Sequence, residues 1–358
     1  MKYPGPRKCL ILETNGRGHR SWFVRLLVQE SRHRTPPRMP TIVTTAEVLT
    51  TDAWLEHLQS FRPAFDLVVA RRPLFRVARR ILCSPNYLVV PDGDKWMPGL
   101  CILSLWMRRS LVGSVLILRP TPVHSAKSRL AALTKRSLRR VLARWSPDMT
   151  VFELVAAPTN SNSNILLDPI AFAPAVVDRE AWMIRHKLAR SSRVALVIGD
   201  ISERKCVAEL AEAARLSDLP GLVLVAVGRP TPAIRSVFAL AHSVGDKRVC
   251  LLENFISDQE FDTWIAVADA VCIIHRNEGS SGVLLKAWAA GTPVLVGGAS
   301  SVVQAARTLG AARIEAPSLH PEVLVHQIEK AVSTQRSHVA VNEWESRAVQ
   351  FTDAMLGP

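Results

Sequence analysis

The sequence predicts two consecutive doubly wound α/β domains, each a parallel sheet covered by helices on both faces. Three observations carry that expectation: a chain of 358 residues, the same alternation of short apolar runs with amphipathic stretches in both halves, and a polar segment between them. A chain this long exceeds one ordinary hydrophobic core and fits two domains of roughly 150 to 200 residues. Hydrophobic residues make up 48% and charged residues 21%, which is globular usage and excludes a disordered chain.

In the first half, residues 9–12, 41–45, 66–70, 87–91, 114–118 and 150–154 read as strands. Helix-length segments fill the gaps, so right-handed βαβ units and a parallel sheet follow. The polar run 159–164, a strand-like 164–167 and the turn Asp168-Pro169 mark a boundary, giving a first domain over 1–170 and a second over 171–337. In the second half the strands are 193–198, 221–227, 248–252, 270–274, 293–296 and 312–315, each followed by a helix candidate. The last stretch, 338–358, is amphipathic and expected to cross back onto the first domain. Doubly wound domains hold ligands at the carboxyl ends of their strands, so two such domains are expected to face each other across one cleft.

Charge divides unevenly along the chain. Residues 1–150 carry 26 Lys and Arg against 9 Asp and Glu, a balance of +17; the remainder carries 19 against 22, a balance of −3. The asymmetry points to an anionic or membrane-surface partner for the first domain, or merely to the Arg-rich usage of a GC-rich genome. Residues 126–145 form a basic amphipathic helix, suited either to anionic lipid, as a lipid-linked acceptor would require, or to a core helix with a basic outer face. Few aromatics interleave with the basic residues and no recognition motif appears, so nucleic acid is not expected as a partner. No apolar run approaches the ~20 residues of a membrane span and the start lacks a secretion signal, so a cytoplasmic protein, peripheral at most to the inner membrane face, is expected. The six cysteines lie far apart and read as reduced core thiols, not metal ligands.

The chemistry is written in the second half. In NEGSSGVLLKAWAAGTPVLV, residues 277–296, an acid and a small-residue turn precede a helix. Free N–H groups at Ser281, Gly282 and Val283, with the positive end of the helix dipole, favour phosphate oxygens. Ordinary capping by Ser280 or Ser281 explains the same letters. A second cluster begins where strand 193–198 ends at Gly199 and a helix is expected to start at Arg204-Lys205. Paired cations there can neutralise a diphosphate leaving group without a metal; alternatively they are a solvated helix face.

GDISERKCVAEL followed by LENFISDQEFDTWIAVADAVCIIHRNEGSSGVLLKAWAAGTPVLV resembles the donor-binding half of retaining glycosyltransferases of family four, over about residues 193–335. The resemblance implies a GT-B fold of two Rossmann-like domains, a nucleotide-diphosphate sugar as donor, and no metal or other cofactor. It implies that Arg204 and Lys205 bind the donor diphosphate, that Glu278 holds hydroxyls of the transferred sugar, and that Phe255 and Ile256 lie beside the nucleobase. Where the family has Glu-x(7)-Glu, with the second carboxylate on the ribose hydroxyls, this chain has Lys286. A cation accepts no such bonds; Lys286 contacts a phosphate, pairs with Glu278, or signals another nucleotide or a lost activity. The last possibility keeps a noncatalytic binding or scaffold subunit as the rival reading.

The first half resembles the family only in outline, through NGRGHRSWFVRLL after the first strand, where Gly16 and Gly18 give a tight turn and His19 either touches acceptor or phosphate or caps a helix. The run does not complete a dinucleotide fingerprint. The family's histidine after a late N-terminal strand has its nearest counterpart in His124 of LILRPTPVHSAKS, with Arg119 as the competing residue. Asp92-Gly93-Asp94 has metal-binding spacing but turn composition, and is read as a turn.

Overall fold

The structure, a computed structural model, describes residues 8–16, 20–34, 39–83, 86–107, 111–118, 126–158, 164–169, 171–254, 256–278, 281–337 and 343–357. The chain folds as two units: Met1–Pro169 with Glu345–Pro358, and Ile170–Trp344.

Among the described residues the first unit holds seven strands: β1 (Lys8–Leu12), β2 (Thr41–Thr44), β3 (Asp66–Val69), β4 (Asn86–Val90), β5 (Gly113–Ile117), β6 (Met149–Val155) and β7 (Ile165–Leu167). They pair in the order β3-β2-β1-β4-β5-β6-β7, all parallel. Alternate side chains of β1 enter opposite cores, as the two-residue period of a strand dictates. Cys9 and Ile11 meet Phe23, Leu27 and Phe351, whereas Leu10 and Leu12 meet Val77, Leu100 and Leu142. A sheet buried on both faces needs such continuous apolar strands. The expected two-sided covering of the first sheet is what the structure shows.

The second unit holds β8 (Arg193–Ile201), β9 (Leu222–Pro230), β10 (Val249–Glu253), β11 (Ala270–His275), β12 (Val294–Gly298) and β13 (Arg313–Ala316). Their order is β10-β9-β8-β11-β12-β13, again all parallel. Helices Val207–Leu216 and Pro321–Val332 close one face over Ala195, Val197 and Leu224. In each order the chain winds outward from one central strand, then returns to that strand's other side. The reversal falls between β1 and β4 in the first sheet and between β8 and β11 in the second. Crevices at such reversals, outside the carboxyl ends of the strands, are where this architecture binds ligands.

Three sequence expectations are corrected. β8 does not stop at Gly199 but pairs on through Ile201, with Gly199 opposite Gly228 and Asp200 opposite Arg229. No helix begins at Arg204-Lys205: Glu203–Lys205 is a single 3-10 turn, Cys206 takes a left-handed φ of 52°, and the helix starts at Val207. Of the six cysteines, all free, Cys83 is exposed instead of buried in a core.

Candidate active site

The β8/β11 crevice is built from two loops. The 3-10 turn after β8 closes with Lys205 N–H donating to Ser202 C=O at 2.9 Å, and the left-handed Cys206 then reverses the chain. That reversal turns Lys205 inward, where it is buried and its Nζ donates to the Ile198 carbonyl at 2.5 Å. Arg204 remains exposed, and its guanidinium has no ion-pair partner among the described residues. The loop after β11 joins this turn directly, because Arg276 N–H donates to Arg204 C=O at 2.8 Å. A non-glycine residue at positive φ is strained, and here the strain sits at the junction of the two loops.

Electrostatics in the crevice is dominated by buried nitrogen. Burial, then the neighbouring Arg204 charge, pushes the Lys205 ammonium down to about 7, against some relief from Asp200. His275, the last residue of β11, is pushed down to about 3 by burial and then by Lys205 and Arg204. A neutral imidazole, a half-charged amine and an exposed guanidinium therefore converge on one crevice. An arriving anion restores what burial removed, since a negative charge nearby favours the protonated amine. His275 escaped the sequence reading because it ends an apolar strand; its position one residue before the loop was the available signal.

Helix Gly282–Ala289 begins beside this loop with Ser281 as its cap, the hydroxyl accepting from Leu284 N–H at 3.4 Å. The capping reading of Ser281 therefore holds, while the N–H groups of Gly282 and Val283 stay without a partner among the described residues, as the first amides of a helix do. Glu278 is held elsewhere: its carboxylate accepts from Ser300 N–H and Oγ, each at 2.9 Å, and from Ser301 N–H at 2.7 Å. Burial raises its pKa, but the Ser301 and Ser300 bonds outweigh that and hold it at about 2. Beyond this clamp a groove of about 990 Å³ opens along the β12 and β13 ends, lined by Gly298, Ser300, Arg307 and Glu315. It borders the clamp, and its residues are not those of the cationic crevice.

Lys286 is buried, and its ammonium is bound to the buried Asp262 of helix Asp258–Val267, with the Phe261 ring 5.5 Å away. Asp262 also accepts from Ala173 N–H at 2.8 Å. The phosphate and Glu278 contacts expected of Lys286 give way to this pair, in which each charge offsets the other's burial. Ile256 precedes the capping box of Ser257 and Glu260, is half-buried, and leaves its backbone groups without a partner among the described residues. Phe255, Ser280, Gly18, His19, Arg119 and His124 lie outside the described residues.

The first unit has its own cluster at the β1/β4 reversal. Glu13, fully buried after β1, accepts from Asn15 N–H, and its Oε2 finds no partner among the described residues. Arg20 Nε lies 3.0 Å from Asp92 Oδ2, and Lys95 Nζ donates to Thr14 Oγ1 at 2.9 Å. Burial pushes Glu13 up to about 8; the Asn15 bond, Arg20 and Lys95 lower it only partly. Asp94 accepts from Leu118 N–H and Lys135 Nζ, so both acids of the Asp92-Gly93-Asp94 run serve intramolecular partners. Gly16 is required sterically, since a Cβ there would lie 2.4 Å from the Thr51 side chain.

Fold and site together define a class: a two-domain GT-B protein whose second domain presents cations and helix-start amides at its topological reversal. Residues 178–346 match the family described as Glycosyl transferases group 1. No curated protein sequence matches the chain. Among solved structures the chain is similar to Alr3699/HepE of Anabaena in complex with UDP and glucose, at 14% identity and a TM-score of 0.65, over 98% of this chain and 94% of that one. It is also similar to WaaG, a glycosyltransferase involved in lipopolysaccharide biosynthesis, at 14% identity and a TM-score of 0.61, over 98% of this chain and all of that one (100%). The sucrose-phosphate synthase of Thermosynechococcus elongatus matches at 13% identity and a TM-score of 0.63, over 98% and 95%. At these identities the structures share the fold with this chain. They show the GT-B fold, and the family match covers residues 178–346 of it.

Proposed function

We propose that the chain is a retaining, metal-independent glycosyltransferase of family four that moves a sugar from a nucleotide diphosphate to an acceptor hydroxyl. The observation that carries this reading is the bond from Arg276 N–H to Arg204 C=O, which joins the cationic turn to the loop leading into Ser281. The donor diphosphate lies against Arg204, Lys205 and the amides of Gly282 and Val283. The bond from the anomeric carbon to the departing phosphate oxygen breaks as the acceptor oxygen bonds to that carbon on the same face. The acceptor's proton passes to the departing phosphate oxygen. The protein contributes positioning and charge stabilisation. HepE, solved with UDP and glucose, supports the donor class. The +17 balance of residues 1–150 supports an anionic or lipid-linked acceptor in the cytoplasm.

A calorimetric screen of nucleoside diphosphates and nucleotide sugars tests the reading. One base is expected to be selected, transfer to survive chelation of divalent ions, the product to keep the donor's anomeric configuration, and Arg204→Ala to abolish turnover. Undiminished turnover in Arg204→Ala, or no nucleotide bound at all, sinks it. The buried Lys286–Asp262 pair favours a second reading, a noncatalytic nucleotide-sugar-binding subunit; binding without transfer or donor hydrolysis selects that one.

A further inference from the structure

Three helices cover one face of the first sheet: Pro73–Cys83, Gly93–Met107 and Ala126–Trp145. They pack side by side. A Cβ at Gly99 would lie 2.6 Å from Leu74 Cδ2, and Cys101 Sγ donates to Leu138 C=O at 3.2 Å. Their inner sides, with Val77, Leu100 and Leu142, fill the core beneath.

The outer side of the middle helix is unusual for a surface. Its solvent stripe runs Pro98, Ile102, Leu105 and Trp106, at helical spacing, with Ile102 67% and Trp106 63% exposed. After its first turn, which carries Asp94 and the exposed Lys95, this helix is apolar on its outer as well as its inner side, a pattern that normally marks an enclosed helix. On the first helix Phe75, 66% exposed, extends the apolar area. At 15 residues the middle helix is too short to cross a bilayer, and among the described residues no helix is long and apolar enough to do so.

Charge decides what covers this face. Between Asp94 and Asp148 the chain has 11 Lys and Arg and no carboxylate; between Asp66 and Asp92 it has five Arg and none. Arg76 and Arg80 on the first helix, and Arg136 and Arg140 on the third, are exposed with no ion-pair partner among the described residues. A second copy docking through a twofold axis would set this patch against itself, arginine facing arginine. Nucleic acid would meet the arginines but leave Ile102 and Leu105 unmatched. An anionic bilayer matches both, taking apolar side chains between its headgroups and arginines on its phosphates.

We propose that the outer face of these three helices docks on an anionic lipid surface, with Ile102, Leu105, Trp106 and Phe75 inserted and the flanking arginines on the headgroups. The surface is broader than the basic helix at 126–145, and it functions independently of donor binding in the second unit. The test is cosedimentation of the full chain with vesicles of equimolar phosphatidylcholine and phosphatidylglycerol, against phosphatidylcholine alone. Binding is expected only to the anionic vesicles and is expected to weaken with salt. Ile102→Ser with Trp106→Ser, and Arg136→Glu with Arg140→Glu, are each expected to weaken it at least ~10-fold while melting as wild type, since all four side chains are exposed. Trp106→Phe keeps a ring and is expected to retain binding while losing part of the fluorescence quenching by brominated phosphatidylglycerol. Three results overturn the proposal: no wild-type binding, variants that bind as wild type, or quenching in Trp106→Phe equal to wild type. A wild-type dimer that the Ile102/Trp106 variant dissociates, without vesicle binding, also overturns it.

Discussion

Lys205 carries a penalty in the folded chain that a phosphate would remove. Its folded pKa of about 7 lies below the ordinary 10.5, so between those values the unfolded chain holds the proton more tightly. Stability is therefore expected to rise with pH from about 7 to about 10.5, with the penalty complete below 7. Lys205→Met should be more stable than wild type at pH 7, by an amount on the order of a few kcal/mol, and converge with it near pH 10.5. The same variant should bind nucleoside diphosphate far more weakly, and wild-type binding at pH 8 should take up a proton, read as buffer-dependent heats in calorimetry. Parallel melting curves at both pH values would refute the burial account. Glu13 runs the other way. Raised from 4.5 to about 8, it stabilises the fold below pH 4.5 and loses that contribution as pH rises through 8. Glu13→Gln should melt like wild type in acid and above it at pH 9; a gap of equal size at both ends contradicts the assignment. The letters of Arg204, Lys205, Glu278 and Ser281 were legible in the sequence because they sit in a spaced motif. Asp262 as the partner of Lys286 was not, because the pair is 24 residues apart on different helices and depends on how those helices pack. Glu13 and His275 were passed over because a residue at the end of an apolar run looks like part of the strand, and only the sheet order shows which strand ends meet the reversal.

At the scale of elements, apolar runs found every strand among the described residues but not the strand ends. β8 and β9 continue for three residues past the last long hydrophobic stretch, because backbone pairing requires no apolar side chain: Gly199, Asp200 and Ile201 bond alongside Gly228, Arg229 and Pro230. That extension rests on a close approach of two glycines. At Gly228 a Cβ would lie 2.0 Å from the Gly199 carbonyl oxygen, in a backbone with φ of 136°. At Gly199, φ is 96° but the nearest atom to a Cβ is Lys205 Nζ at 3.5 Å. The two substitutions should therefore separate. Gly228→Ala must push β8 from β9 and is expected to cost about 3 kcal/mol or more, with nucleotide binding lost; Gly199→Ala carries backbone strain of about 1–3 kcal/mol. Denaturant melts rank them, and an order in which Gly199→Ala is the worse would show that the strand ends are not packed this way. The 3-10 turn at Glu203–Lys205 was illegible for a related reason. ERKCVAEL reads as uninterrupted helix, and nothing in the letters marks Cys206 for positive φ, a conformation that only its buried surroundings sustain.

For the whole molecule, the alternation of strands and helices was legible over nearly the full length, since a sheet buried on both faces writes itself as repeated apolar runs. The last helix, Glu343–Leu356, shows what pattern alone leaves open: an amphipathic stretch reveals that it has a buried side but not which core receives it. Here Phe351, Met355 and Leu356 enter the core of the first unit, the Phe351 ring lies 5.2 Å from that of Phe23, and the buried Arg347 donates to Ala156 C=O at 3.0 Å. The first unit therefore depends on residues that follow the whole second unit in the chain. Phe351→Ala is expected to cost about 3–5 kcal/mol, a large share of the roughly 5–15 kcal/mol that holds a domain together. Removing residues 343–358 deletes all three apolar side chains and leaves Phe23 facing water, so the first unit should not fold stably. The second unit, Ile170–Trp344, has its own core around Val197, Leu210 and Leu324 and should keep its melting transition. Limited proteolysis of the truncated chain is then expected to leave a protected fragment beginning near residue 170, whereas the full chain leaves both units protected. Digestion that spares both halves of the truncated chain equally would show that the first core closes without its final helix.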